Sequence, residues 1–149
     1  MRGHGGNDRM KGGDGSDRLM GERGDDTLEG GNGNDLLRGG AGADTLVGGG
    51  GVNTMTGGGG ADCFVLQEQS IDVQFASIIT DFRAKQGDVL KLKEKLSVDN
   101  LWLQTFDFNN DGIVDSTIIQ TKDGNGVLAI ALGTVNSSGQ TTLSNANFV

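Results

Sequence analysis

Residues 3–65 divide without a gap into seven lines of nine residues: GHGGNDRMK, GGDGSDRLM, GERGDDTLE, GGNGNDLLR, GGAGADTLV, GGGGVNTMT and GGGGADCFV. Position 4 is glycine in every line. Position 6 is Asp8, Asp17, Asp26, Asp35, Asp44 and Asp62, with Asn53 in the sixth line. Position 8 is always large and apolar: Met10, Leu19, Leu28, Leu37, Leu46, Met55 and Phe64. One apolar residue per line supports only a short strand with a single inward side chain, and such a unit cannot bury its face alone. The lines must therefore stack. Two lines, loop-strand-loop-strand, complete one coil, and each line then lies over the line two before it at a strand spacing of about 4.7–4.9 Å. Glycines at positions 1, 2 and 4 permit positive φ and close backbone approach, which predicts a tight loop at the start of each line.

Stacking gathers the position-6 side chains into two columns: Asp8, Asp26, Asp44 and Asp62 on one side, and Asp17, Asp35 and Asn53 on the other. Bare carboxylates at that spacing repel one another, and the ordering entropy of so many glycines also opposes folding. A hard dication between successive carboxylates reverses the balance, with loop carbonyls completing an oxygen shell. Calcium suits such a shell better than magnesium, which demands a smaller, near-octahedral one. Zinc lacks an imidazole or thiolate set here. The expected ligands are the side chains of Asp8, Asp17, Asp26, Asp35, Asp44, Asn53 and Asp62. The carbonyls of Gly12, Gly13, Gly15, Gly30, Gly31, Gly33, Gly39, Gly40, Gly42, Gly48, Gly49 and Gly51 are expected to join them. The stacked pairs 8/26, 17/35, 26/44, 35/53 and 44/62 predict up to about five calcium ions, the 35/53 pair weakest because Asn53 offers a neutral oxygen. His4 and Glu22 stand where position 2 is usually glycine, so the loops of the first and third lines are expected to depart from the others.

The GGxGxDxUx pattern of these lines resembles the RTX (repeats-in-toxin, hemolysin-type) calcium-binding nonapeptide family. Residues 79–82 and 87–92 are similar to the segment after the repeats in serralysin-type C-terminal domains and other bacterial type I-secreted proteins. The resemblance implies an all-β fold, a right-handed parallel β-roll followed by a β-rich capping segment. It further implies calcium-triggered folding outside the cell, and export by the type I secretion machinery through an uncleaved C-terminal signal. Calcium is then the resident ligand, and the chain a monomeric, non-catalytic module of a longer secreted or cell-surface bacterial protein. The repeats also resemble accessory modules of alginate-modifying enzymes, so an adhesin or polysaccharide-binding module is the alternative. That alternative predicts exposed aromatics or cations on one face, with Arg9, Arg18 and Arg38 as candidates; Arg9 and Arg18 fall on opposite sides of the coil.

Composition agrees with a cation partner. Twenty acids against twelve bases give a net charge of −8, which disfavours nucleic acid and anionic membrane surfaces. No apolar run is long enough to span a membrane. The opening MRGHGGND has no apolar stretch, so an N-terminal secretory signal is not expected. The single cysteine, Cys63, excludes an internal disulfide framework. The only histidine, His4, lies three coils from it and should be exposed, so no Cys–His nucleophile is expected and Cys63 reads as a strand residue. The glycine loops lack the Lys-Ser or Lys-Thr of a phosphate cradle.

Glycine falls from 22 residues within 3–65 to 6 within 66–149, marking a change of architecture near residue 65. The second part reads as a β-rich cap bearing the secretion signal, with strands expected at 63–67, 77–82, 89–93, 101–106, 116–121 and 127–132. The Asp-Gly-Asn-Gly run at 123–126 predicts a hairpin turn. A short helix is expected after Lys91 or over 143–148, where the chain ends in an apolar tail. Asp107, Asn109, Asp111 and Asp115 match the first part of an EF-hand-like loop, making a further calcium site there one of two readings beside a polar hairpin loop. Asp81 and Asp88 flank a turn and read as turn residues or one more calcium site. Asp14, Asp25, Glu29 and Asp99 belong to no column and read as a solvated face. Trp102, Phe106 and Phe108 read as cap core in preference to a sugar-stacking platform.

Overall fold

Each nine-residue line becomes half a coil. The computed structural model describes residues 1–66, 77–92, 97, 99, 101–106, 116–122, 127–132 and 142–149. Eight strands cover the repeats: β1 (Arg2–Gly5), β2 (Arg9–Asp14), β3 (Arg18–Arg23), β4 (Thr27–Asn32), β5 (Leu36–Ala41), β6 (Thr45–Gly50), β7 (Thr54–Gly59) and β8 (Cys63–Leu66). Five more follow: β9 (Ser77–Ile79), β10 (Val89–Leu92), β11 (Leu101–Phe106), β12 (Ser116–Thr121) and β13 (Val127–Leu132). The strands run further than expected. β2 to β7 each take positions 7–9 of one line and the first three of the next, so the tight turn is confined to positions 4–6.

The odd strands, joined by β12, form one sheet in the order β1-β3-β5-β7-β9-β13-β12-β11, and the remaining even strands form the other, β10-β8-β6-β4-β2. All pairings among the repeats are parallel and in constant register: Leu19 faces Leu37, Leu37 faces Met55, and Leu28 faces Leu46. The result is an all-β solenoid whose two sheets enclose the position-8 ladder. Leu19, Leu28, Leu37, Leu46 and Phe64 have no exposed surface, Met55 is 1% exposed, and even Met10 in the first complete coil is 8% exposed.

Both sheets continue past the last nonapeptide. Ile79 stacks under Met55 in one, and Leu90 under Phe64 in the other, each fully buried. Phe82 packs on Phe64 with ring centroids 6.2 Å apart. Beyond β9 the odd-strand sheet runs through the antiparallel β11–β12–β13. The chain terminus continues the even-strand sheet: Val149 N–H donates to the Leu90 carbonyl at 2.9 Å, and Leu92 N–H to the Val149 carbonyl at 3.0 Å.

The expected strands at 101–106, 116–121 and 127–132 are present with those bounds, while 77–82 is shortened to three residues. In place of a terminal helix there is a single 3-10 turn at Asn145–Asn147. Trp102 is 55% exposed on the edge strand β11 rather than in a core. The hairpin of β12 and β13 is formed; its turn at 123–126, Phe108 and the residues 107–115 that include Asp107, Asn109, Asp111 and Asp115 lie outside the described residues. Among the described residues no helix is long and apolar enough to cross a membrane.

Candidate metal centres

The position-6 side chains form hydrogen-bonded ladders along both edges of the roll. On the first edge, Asp26 Oδ1 accepts the Asp8 N–H at 2.8 Å, Asp44 Oδ1 the Asp26 N–H at 2.8 Å and Asp62 Oδ1 the Asp44 N–H at 3.0 Å. On the second, Asp35 Oδ1 accepts the Asp17 N–H at 2.8 Å and Asn53 Oδ1 the Asp35 N–H at 2.9 Å. Each of these residues thus commits one oxygen to the coil before it, which satisfies a main-chain donor in every turn.

The other oxygen is left over. Oδ2 of Asp8, Asp17, Asp26, Asp35, Asp44 and Asp62 is buried and accepts no hydrogen bond. Each lies against the position-1 glycine of its own loop. A Cβ placed on Gly30 would stand 2.3 Å from Asp35 Oδ2 and 2.5 Å from the Gly48 carbonyl oxygen one coil on, so only glycine leaves the cradle open. The same three-way meeting occurs at Gly3 with Asp8 and Gly21, Gly12 with Asp17 and Gly30, Gly21 with Asp26 and Gly39, and Gly39 with Asp44 and Gly57. A buried carboxylate oxygen without a donor is costly unless a cation meets it. Among the described residues no three Asp, Glu, His or Cys side chains converge on a metal position, so main-chain oxygen must supply much of any shell. That donor set fits a hard oxygen-seeking cation such as calcium.

The electrostatics point the same way. Burial pushes the Asp62 carboxyl up to about 6 from an ordinary 3.8; the Asp44 N–H opposes this, and the charges of Asp88, Asp44 and Asp81 add to it. Burial also raises Asp44, opposed by the Asp26 N–H and reinforced by the charges of Asp26 and Asp25. At strand spacing, two such carboxylates repel by about 3 kcal/mol at an effective dielectric constant of ~20.

The two expected columns are present, and of the expected loop carbonyls those of Gly30, Gly39 and Gly48 face the unpartnered oxygens, joined by Gly21 and Gly57. Carbonyls at positions 2 and 4, such as those of Gly13, Gly15, Gly31, Gly33, Gly40 and Gly42, occupy the space that a Cβ would need on the glycine one coil further along. Gly49 and Gly51 offer theirs to the Asn53 amide. His4 and Glu22 do not change the loop: they take φ of 75° and 81° like the glycines at that position.

Three residues beyond the repeats complete these edges, and two of them, Asp81 and Asp88, are the pair that the sequence offers as turn residues or one more calcium site. Asp88 ends the first column, its Oδ1 accepting the Asp62 N–H at 3.0 Å and its Oδ2 the Arg83 N–H at 2.7 Å; burial raises its carboxyl, and those two N–H groups oppose the rise. Ser77 follows Asn53 on the second edge, its hydroxyl accepting the Asn53 N–H at 3.2 Å. Asp81 accepts the N–H groups of Gly57 and Gly58 at 2.8 and 2.9 Å, finishing the glycine half of β7. Asp25 is likewise no idle surface charge. It belongs to an outer ladder at position 5, where Asn7 Oδ1 accepts the Asp25 N–H and Asp25 Oδ1 the Ala43 N–H. Asp14 and Glu29 bond Asn32 and Lys11 on the surface. Cys63 is a β8 strand residue whose thiol is raised by burial, and His4 is exposed.

Residues 2–37 and 29–62 match the RTX calcium-binding nonapeptide repeat, in four copies. No curated protein sequence matches the chain. The chain is similar to the AlgE6R3 subunit from the Azotobacter vinelandii mannuronan C5-epimerase, solved in solution, at 25% identity over 99% of this chain and 80% of that one, with a TM-score of 0.53. RTX repeats of this kind are non-catalytic and typical of extracellular bacterial proteins. Residues 2–62 thus match RTX hemolysin-type calcium-binding repeats and are wound as a parallel β-roll.

Proposed function

We propose that the chain is the folding and secretion module of a type I-exported bacterial protein, and that it folds when it meets calcium outside the cell. The observation that carries this reading is the set of six buried, unpartnered Oδ2 atoms. Asp8, Asp17, Asp26, Asp35 and Asp44 would hold calcium together with the carbonyls of Gly21, Gly30, Gly39, Gly48 and Gly57 one coil on, which makes five ions, and the equally unpartnered Oδ2 of Asp62 would take a further one at the end of its edge. When bound, calcium supplies the positive charge that lets these carboxylates remain ionised in a buried edge. Without it, repulsion along each column and the entropy of the glycine-rich chain favour the unfolded form. Extracellular modules commonly bind calcium at about 10⁻⁴–10⁻³ M. At cytosolic levels the chain would then stay loose enough for an export channel, and it would fold by mass action on arrival. Residues 66–149 would close the open end of the roll and carry the export signal. Far-UV circular dichroism of the chelated protein, titrated with calcium and separately with magnesium, tests this. A cooperative gain of β signal with calcium alone is expected; a fold already complete in chelator refutes it.

A second reading, a polysaccharide-binding accessory module, is favoured by the likeness to an epimerase subunit and by the outer face of the odd-strand sheet. Arg18 and Arg38 are both exposed there, around a shallow depression with Met20, Leu36 and Thr56, and Trp102 is exposed further along the same sheet. Arg9 lies on β2 in the other sheet. Retention on immobilised mannuronan in calcium is expected on this reading, and its absence refutes it.

A further inference from the structure

One of the seven loops does not match the others. Asn53 is fully buried, and its Oδ1 accepts the Asp35 N–H at 2.9 Å as an aspartate would. That bond fixes the amide, because the reversed orientation would set two donors against each other. Nδ2 therefore occupies the place that Oδ2 takes elsewhere. It donates back into its own loop, to the Gly51 carbonyl at 3.2 Å and the Gly49 carbonyl at 3.4 Å. A Cβ on Gly48 would stand 2.8 Å from Nδ2, against 2.1–2.6 Å from Oδ2 in the other six loops. The amide nitrogen has thus moved off the glycine wall, in a loop whose carbonyls it now serves. The next rung, Ser77, brings a neutral hydroxyl rather than a carboxylate.

We infer that the loop at 48–53 takes no calcium toward the coil that follows it, and that the Asn53 amide closes this edge of the roll independently of metal. The inference rests on reading the unpartnered aspartate oxygens as calcium ligands. Asp35 Oδ2 still meets the Gly48 carbonyl, so the position between the fourth and sixth lines is kept. What is absent is a further position between the sixth line and Ser77. The two edges therefore end differently: the first in Asp62, with an unpartnered oxygen, and the second in an amide bonded to its own loop.

Native mass spectrometry of the whole chain in calcium counts the ions directly. Asn53→Asp is expected to bind one more calcium than the unaltered protein and to show less β signal than it in chelator with trimethylamine N-oxide, which populates the metal-free fold. Equal, non-zero counts in the two proteins overturn this inference alone. An unaltered protein that binds no calcium overturns the calcium reading and this inference with it. Should Asn53→Asp fail to fold, the unaltered calcium-loaded protein decides by NMR. The Asn53 side-chain amide protons should exchange with water at least about tenfold more slowly than those of an exposed asparagine, and equal rates overturn the bond to Gly49 and Gly51.

Discussion

Replacing Asp62 by asparagine should make the metal-free protein more stable and the calcium-loaded protein less responsive to calcium. Asp62 is 1% exposed, its Oδ1 holds the Asp44 N–H, and its Oδ2 has no partner. Burial pushes its carboxyl up to about 6 from 3.8, so at neutral pH the metal-free fold holds an ionised group more costly than in the unfolded chain. The difference of about two units corresponds to about 3 kcal/mol. The Asp62→Asn side chain would keep the acceptor and the shape while removing the charge, as Asn53 already does in the sixth line. In exchange the chain loses a calcium ligand. With a dissociation constant of about 10⁻³ M, one ion contributes RT ln(1 + [L]/Kd), or about 1.4 kcal/mol at about 10 mM calcium. Urea unfolding followed by circular dichroism measures both sides, in chelator with trimethylamine N-oxide to populate the metal-free fold, and again in calcium. The expected result is a gain of about 3 kcal/mol in chelator and a calcium increment smaller by about 1.4 kcal/mol. A variant no more stable than its parent in chelator would refute the claim that this column is held under electrostatic stress.

Acidification should act on the same stress. Asp44, Asp62 and Asp88 all have raised carboxyls, so the folded chain takes up protons before the unfolded one, and metal-free stability should rise as pH falls from about 6 to the ordinary value of 3.8. In calcium the trend should reverse as ligands protonate; a flat β signal across this range in chelator would contradict the assignment. Glu22→Gly should raise the melting temperature in calcium. A non-glycine residue at φ 81° costs about 1–3 kcal/mol, more than its exposed pairs with Arg2 and His4 return, and an unchanged or lower value would count against strain at this loop. Asp81→Ala should cost about 2–4 kcal/mol, because two main-chain donors lose a charged acceptor. Amide exchange at Gly57 and Gly58 should quicken with it, and unchanged exchange there would refute the capping role.

The repeat makes the roll legible because each of its three columns carries a separate physical demand: glycine at the turn, carboxylate at the edge and one apolar side chain inside. Where the period breaks, the reading breaks with it. Asp88 follows Asp62 by 26 residues and Ser77 follows Asn53 by 24, instead of 18, so neither stands out as a member of a column. The outer ladder is visible in principle. Asn7, Asp25 and Asn34 share position 5, and each accepts an N–H one coil on, yet alanine and valine take that position in the later lines and obscure it. In the sequence Asn53 looks like a weakened ligand, because only the orientation of its amide shows that it serves its own loop. Trp102 reads as core from its aromatic character, but the alternation of β11 puts it with exposed Gln104 on the outer face, while Leu101 and Leu103 turn to the core.

The alternation of lines between two edges also sets the step by which such a chain can change length. Removing two consecutive lines takes one rung from each sheet and leaves every surviving surface where it was. Removing a single line keeps each local ladder intact but rotates everything before the cut by half a coil relative to everything after it. The outward faces are then exchanged: Arg18 and Arg38 would move onto the sheet of β8 and β10, opposite Trp102 and β11–β13. Calcium edges can therefore tolerate insertion and deletion in single lines, whereas any binding surface spread over both halves of the molecule can be inherited only in whole coils.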